Sequence, residues 1–111
     1  MPLQPVEKIW MDGKLIDWRE ANVHILTHAM HYASSVFEGE RAYNGKIFLS
    51  RKHSERLHFS ASELDFQISW TVDEIEAAKQ EVLTINGARC ANELHICADV
   101  QVTDIFTTIA A

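Results

Sequence analysis

Several things are scarce in this 111-residue chain, and each scarcity removes a class of protein. Two cysteines are too few for a disulfide-built secreted fold. Cys90 and Cys97 are also too far apart for a zinc knuckle or a redox Cys-x-x-Cys pair, so both read as buried, reduced thiols. The four glycines, at positions 13, 39, 45 and 87, are too scattered to form a phosphate loop, and no Gly-x-Ser-x-Gly elbow presents a nucleophilic serine. No apolar run approaches the roughly 20 residues needed to cross a bilayer, and the N-terminal MPLQPVEKIW lacks the apolar centre of a signal peptide, so a cytoplasmic location is the expectation. No basic stretch outlasts Arg51-Lys52 in a chain of formal charge -6, which argues against a general nucleic-acid binder. No repeat, low-complexity tract or Pro/Gly/Ser linker divides the chain. What remains, with 47% hydrophobic and 23% charged side chains, is one soluble domain, since disorder would need fewer apolar residues.

The local signals follow in order. Two apolar runs, Lys8 to Met11 and Lys14 to Trp18, flank Asp12-Gly13, and both turn residues tolerate positive φ, so a hairpin is expected. From Ser34 to Tyr43 the side chains split by parity: Val36, Glu38, Glu40 and Ala42 on one face, Phe37, Gly39, Arg41 and Tyr43 on the other. Such a strand fits a subunit contact, a polar site or a sheet edge. Asn44-Gly45 then turns the chain into Lys46 to Leu49, a second hairpin. Ser50 reads as the cap of a helix with Leu57, Ala61 and Leu64 on its packed stripe. Thr71 to Glu74 is a capping box, and Ile75, Ala78, Val82 and Ile85 follow at helical spacing until Asn86-Gly87 stops the helix. Leu94 to Val102 alternates like a strand, and Asp104 to Ala111 is an apolar tail without an evident partner.

Few residues suggest chemistry on their own. His24 and His28 have the i, i+4 spacing of two ligands on one helical face, with His31 nearby. Val23-His24-Ile25-Leu26 reads better as a strand, however, and no Glu or Cys completes a ligand set, so hydrogen-bonded structural histidines are the plainer reading and no metal site is expected. Arg56 flanks the packed stripe one residue before Leu57 and could reach a phosphate with its planar fork. On periodicity alone a solvated surface arginine is the plainer reading there too.

Four words in order and at consistent spacing carry a resemblance to a family. They are Ile9-Trp10-Met11-Asp12-Gly13-Lys14; Ala21-Asn22-Val23-His24-Ile25-Leu26-Thr27-His28-Ala29-Met30-His31-Tyr32; Ser35-Val36-Phe37-Glu38-Gly39-Glu40-Arg41-Ala42-Tyr43; and Arg51-Lys52-His53-Ser54-Glu55-Arg56-Leu57. Over residues 8 to 87 the chain resembles the N-terminal small domain of branched-chain amino-acid aminotransferases, which are class IV, fold-type-IV pyridoxal-phosphate enzymes. The resemblance implies an α+β fold, an antiparallel sheet with two helices packed on it, over residues 1–87, with 88–111 a divergent continuation of a strand plus an apolar tail. It implies that Arg56 binds the phosphate of pyridoxal 5'-phosphate. It also implies that Phe37 and Tyr32 line the substrate side-chain pocket, Tyr32 being lent across a homodimer interface. The substrates would be Leu, Ile or Val and 2-oxoglutarate, with neither nucleic acid nor membrane as partner.

The chain also departs from the family. None of its five lysines, at 8, 14, 46, 52 and 79, matches the Schiff-base lysine, so no catalytic residue is assigned. His95 and Cys97 stand where the family's Tyr-x-Arg pair is expected, and a thiol cannot make a two-pronged cationic contact. The expectation is therefore a truncated aminotransferase, inactive alone. The alternatives are a non-catalytic interaction or dimerisation module, and another class IV enzyme such as a D-amino-acid aminotransferase or aminodeoxychorismate lyase.

Overall fold

The computed structural model describes residues 7–86 and the backbone of strands 93–100 and 105–110. The first hairpin forms as expected, with β1 (Lys8–Met11) antiparallel to β2 (Lys14–Asp17) and Met11 opposite Lys14. Asp12 and Gly13 both take positive φ, 48° and 89°, which is why this pair can close a two-residue turn. A Cβ on Gly13 would lie 2.7 Å from the Trp70 ring, which meets Trp10 edge-to-face at 5.2 Å, so the turn also needs glycine for space.

Residues 23–26 are not a strand. After a single 3-10 turn (Trp18–Glu20) the chain runs irregularly to α1 (His28–Tyr32), a five-residue helix beyond the two expected. The Leu26 amide is taken by His24 Nδ1 and the Thr27 amide by the His24 carbonyl, so the segment folds on itself and makes no ladder. Strand β3 (Ser35–Tyr43) and β4 (Lys46–Ile47) form the second hairpin, with Asn44 and Gly45 at positive φ.

Two long helices follow. α2 (Ser50–Glu63) is capped by Leu49, and Ser50 is its first residue, not its cap. The Ser50 hydroxyl is drawn inward to Glu76, 3.0 Å away. The stripe of α2 buries Leu57 and Ala61 with Ser54, whereas Leu64 is exposed. The helix ends there in a Schellman arrangement: Asp65 is left-handed, its amide bonds to Ser62, the Phe66 amide bonds to Ala61, and Phe66 takes the core place expected of Leu64. The capping box of α3 (Val72–Asn86) forms as read, Thr71 Oγ1 accepting from the Glu74 amide and Glu74 accepting from the Thr71 amide. Its buried stripe is Ile75, Ala78, Lys79, Val82 and Asn86; Ile85 lies off it and is exposed. Asn86 ties the end of α3 to the sheet, accepting from the Glu7 and Lys8 amides and donating to the Lys8 carbonyl.

The final segment has a partner after all. β5 (Glu93–Val100) pairs with β3, and β6 (Ile105–Ala110) lies between β5 and β1, giving an antiparallel sheet of order β2-β1-β6-β5-β3-β4. The expectations for Cys90 and for the side chains of His95 and Cys97 lie outside the described residues; along the backbone His95 is opposite Gly39 and Cys97 opposite Phe37. The α+β architecture stands, with α2 and α3 packed over the sheet. Trp10, Val36, Leu57, Ile75 and Val82 form the core, where each fully buried aliphatic chain contributes roughly 1.5–3 kcal/mol. Among the described residues no helix is long and apolar enough to cross a membrane.

Gly13→Ala should lower stability by about 1–3 kcal/mol through backbone strain, with the contact on Trp70 adding to it. Gly39→Ala, with open space and no positive φ, should stay within about 0.5 kcal/mol. Urea unfolding of the two variants reads the difference.

Candidate active-site surface

Strand β3 builds the site, because its two faces do different work. Val36, Glu38, Glu40 and Ala42 point inward and are buried, while Phe37, Gly39, Arg41 and Tyr43 point outward. Both carboxylates of the face that left a subunit contact open in the sequence are paired with cations of the same chain. Helices α2 and α3 supply these cations.

Glu38 is the first of these carboxylates. Its side chain is 5% exposed and takes Arg56 Nε–H at 2.8 Å on Oε2 and Arg56 Nη2–H at 2.6 Å on Oε1, a bidentate pair. His53, one turn earlier on α2, places Nδ1 2.6 Å from the same Oε1. Burial opposes ionisation of Glu38, but the hydrogen bonds from Arg56 and His53 outweigh it and hold the carboxyl below its usual value. Its bond to Glu38 in turn raises the pKa of Arg56. The Arg56 side chain is 64% exposed, so the guanidinium is held from inside and open from outside. A guanidinium carries roughly five N–H donors; Nε–H and one on Nη2 are used by Glu38.

Glu40 is the second carboxylate, and sequence reasoning missed its partner. Lys79 Nζ lies 2.7 Å from Glu40 Oε1, and both side chains are 0% exposed. The ammonium also donates to Ser54 Oγ at 2.6 Å and the Ser50 carbonyl at 3.1 Å, with Glu76 Oε1 at 3.2 Å. Burial pushes the Glu40 carboxyl up despite Lys79, and its Oε2 is buried without a hydrogen-bond partner among the described residues. Burial acts on Glu76 the same way, but hydrogen bonds from Ser54 and Ser50 and the Lys79 charge hold it low. The signal that could have found Lys79 is its place on the α3 stripe, between Ala78 and Val82.

The expected pocket aromatics are on the surface. Phe37 and Tyr32 are each 73% exposed, Tyr32 at the end of α1 with its ring 4.6 Å from that of His28. Tyr43 and Phe48 add an exposed edge-to-face pair at 6.5 Å. The three histidines near α1 do not share a helical face, because His24 precedes the helix. His24 accepts from the Leu26 amide, His28 contacts Ser34 Oγ, and His31 Nε2 donates to the Ile25 carbonyl. A surface hollow of about 550 Å³, lined by Leu15, Ala77, Gln80, Glu81, Thr84 and Ile85, shares no residue with any of these groups.

The fold is α+β and matches part of the fold of solved branched-chain amino acid aminotransferases. In sequence as well as fold the chain is similar to branched-chain-amino-acid aminotransferases. It is 47% identical over 83 residues to a probable branched-chain-amino-acid aminotransferase of Rickettsia typhi, covering 75% of this chain and 29% of the relative. The branched-chain amino acid aminotransferase of Escherichia coli superposes with a TM-score of 0.85 at 30% identity, over 95% of this chain and 39% of that one. The T.th. branched-chain amino acid aminotransferase complexed with N-(5'-phosphopyridoxyl)-L-glutamate superposes with a TM-score of 0.84 at 29% identity, over 96% of this chain and 41% of that one. No protein-family model matches the chain. The chain therefore spans less than a third of the length of the curated relatives it matches.

The two groups of carboxylates predict opposite pH behaviour. Glu38 and Glu76, held low, contribute stability that is present above their ordinary value of 4.5 and is lost as pH falls through their folded values. Glu40, held high, contributes stability that is full below 4.5 and is lost as pH rises through its folded value. In urea titrations between pH 7 and pH 3, Glu76→Gln should flatten the acid loss of stability and Glu40→Gln should steepen it.

Proposed function

We propose that this chain is the small domain of a branched-chain amino-acid aminotransferase, supplying the phosphate grip and part of the side-chain pocket, and that it does not transaminate by itself. The observation that carries the reading is the geometry of Arg56, a guanidinium pinned by a buried carboxylate yet 64% exposed with donors to spare. That donor set suits a phosphate monoester dianion, so the residues present fit pyridoxal 5'-phosphate at its phosphate end. When bound, that cofactor supplies the electron sink of amino-group transfer.

Arg56 would hold the phosphate, and Phe37 and Tyr32 would offer apolar ring surface to the Leu, Ile or Val side chain, which gains by leaving water. In this reading Tyr32 serves the neighbouring subunit of a cytoplasmic homodimer, 2-oxoglutarate is the amino acceptor, and neither nucleic acid nor membrane is a partner. The aldehyde end finds no lysine here. Lys79 is sealed in its ion pair, and Lys8, Lys14, Lys46 and Lys52 lie on β1, β2, β4 and α2 without matching the Schiff-base position. We assign the covalent step to the part of the aminotransferases that this chain does not span.

The exposed side chains Tyr32, Phe37, Tyr43 and Phe48 favour a second reading, a non-catalytic module that dimerises or docks on a relative through them. Light scattering of the purified chain tests it; a strict monomer counts against it.

For the first reading, the chain should bind pyridoxamine 5'-phosphate more tightly than pyridoxamine by calorimetry, with the difference lost in Arg56→Ala. Incubation with pyridoxal 5'-phosphate, valine and 2-oxoglutarate should give no turnover. A difference that survives Arg56→Ala, or measurable turnover, overturns the reading.

A further inference from the structure

The geometry points to Glu38 as the positioning residue of the Arg56 phosphate grip, an inference that rests on the reading of Arg56 just given. A free surface arginine samples many rotamers, and fixing so long a side chain on a ligand costs that freedom at the moment of binding. Here the freedom is already restricted in the folded chain. Glu38 takes Nε–H and one Nη2–H in a bidentate grip, which fixes both the plane and the direction of the guanidinium. Glu38 is fixed in turn, because it is a buried residue in the middle of β3 and His53 holds the oxygen it shares with Arg56. The order of the elements is therefore strand carboxylate, helix arginine, solvent. A ligand dianion meets donors whose orientation is already set.

A carboxylate beside a phosphate also repels it, so two effects oppose each other. Glu38 lowers the local positive charge and raises the order of Arg56. If charge dominated, phosphate would bind better without Glu38. The observed arrangement favours order: the hydrogen bonds are short, the partner is buried, and the arginine side chain is 64% exposed with donors that Glu38 does not use.

Glu38→Asp separates the two effects, because it keeps the charge and withdraws the acceptor by one methylene. The quantity read is the ratio of dissociation constants for pyridoxamine and pyridoxamine 5'-phosphate, which cancels general losses of fold. We expect that ratio to fall about tenfold in Glu38→Asp, the scale of one charge-assisted hydrogen bond. The Arg56 Nε–H resonance should be sharp and slowly exchanging in the parent chain and broader in Glu38→Asp. Should Glu38→Asp fail to fold, Glu38→Gln keeps the size and removes the charge, so that a fall in the ratio supports ordering of Arg56 and a rise means that charge dominates. An unchanged or increased ratio with Arg56 in place overturns the assignment of Glu38. An unchanged ratio in Arg56→Ala instead overturns the reading of Arg56 itself, so the two failures are distinct.

Discussion

Lys79 carries its ammonium into a site closed to water, against a Glu40 carboxylate that is equally closed. Removing two charges from water is costly, and the attraction between them repays the cost only with good geometry and further hydrogen bonds. Ser54, the Ser50 carbonyl and Glu76 complete the shell of the ammonium, so three elements meet on one cation: β3 through Glu40, α2 through Ser50 and Ser54, and α3 through Lys79 and Glu76. An apolar contact would tolerate sliding of a helix along the strand. This one does not, because every donor has an assigned acceptor.

The parity of β3 follows from that constraint. With Glu40 fixed inward, Glu38 two residues earlier is inward as well, and it meets α2 at His53 and Arg56. The alternate residues are then outward, which exposes Phe37 and Tyr43 on the opposite face. A buried ion pair, a half-buried one and an exposed aromatic row are thus consequences of one register. The pair near the surface is the one whose cation remains available to a ligand.

Much of this is legible before the fold. Asp12-Gly13 and Asn44-Gly45 announce their hairpins because few residue pairs accept positive φ twice, and Thr71 to Glu74 announces a helix start because the box is reciprocal. Arg56 and Leu57 separate correctly into surface and core. The misreadings have physical causes. Ser50 looks like a cap, but its hydroxyl is claimed by Glu76; Leu64 looks like core, but a left-handed Asp65 ends the helix and brings in Phe66. Residues 23–26 alternate well enough for a strand, yet His24 captures the local amide. The apolar tail pairs with the neighbouring β5 on one side, but its other partner, β1, comes from the opposite end of the chain, a non-local pairing that no short pattern encodes. Lys79 reads like the other lysines because buried lysine is rare.

The central claim is that the Lys79–Glu40 pair holds β3 to both helices, and a double-mutant cycle in urea tests it most directly. Lys79→Met should cost about 3–5 kcal/mol by leaving a buried carboxylate unpaired, and adding Glu40→Gln should recover at least about 1 kcal/mol of that loss. Single and double changes that simply add, with no coupling between the two positions, would contradict the account.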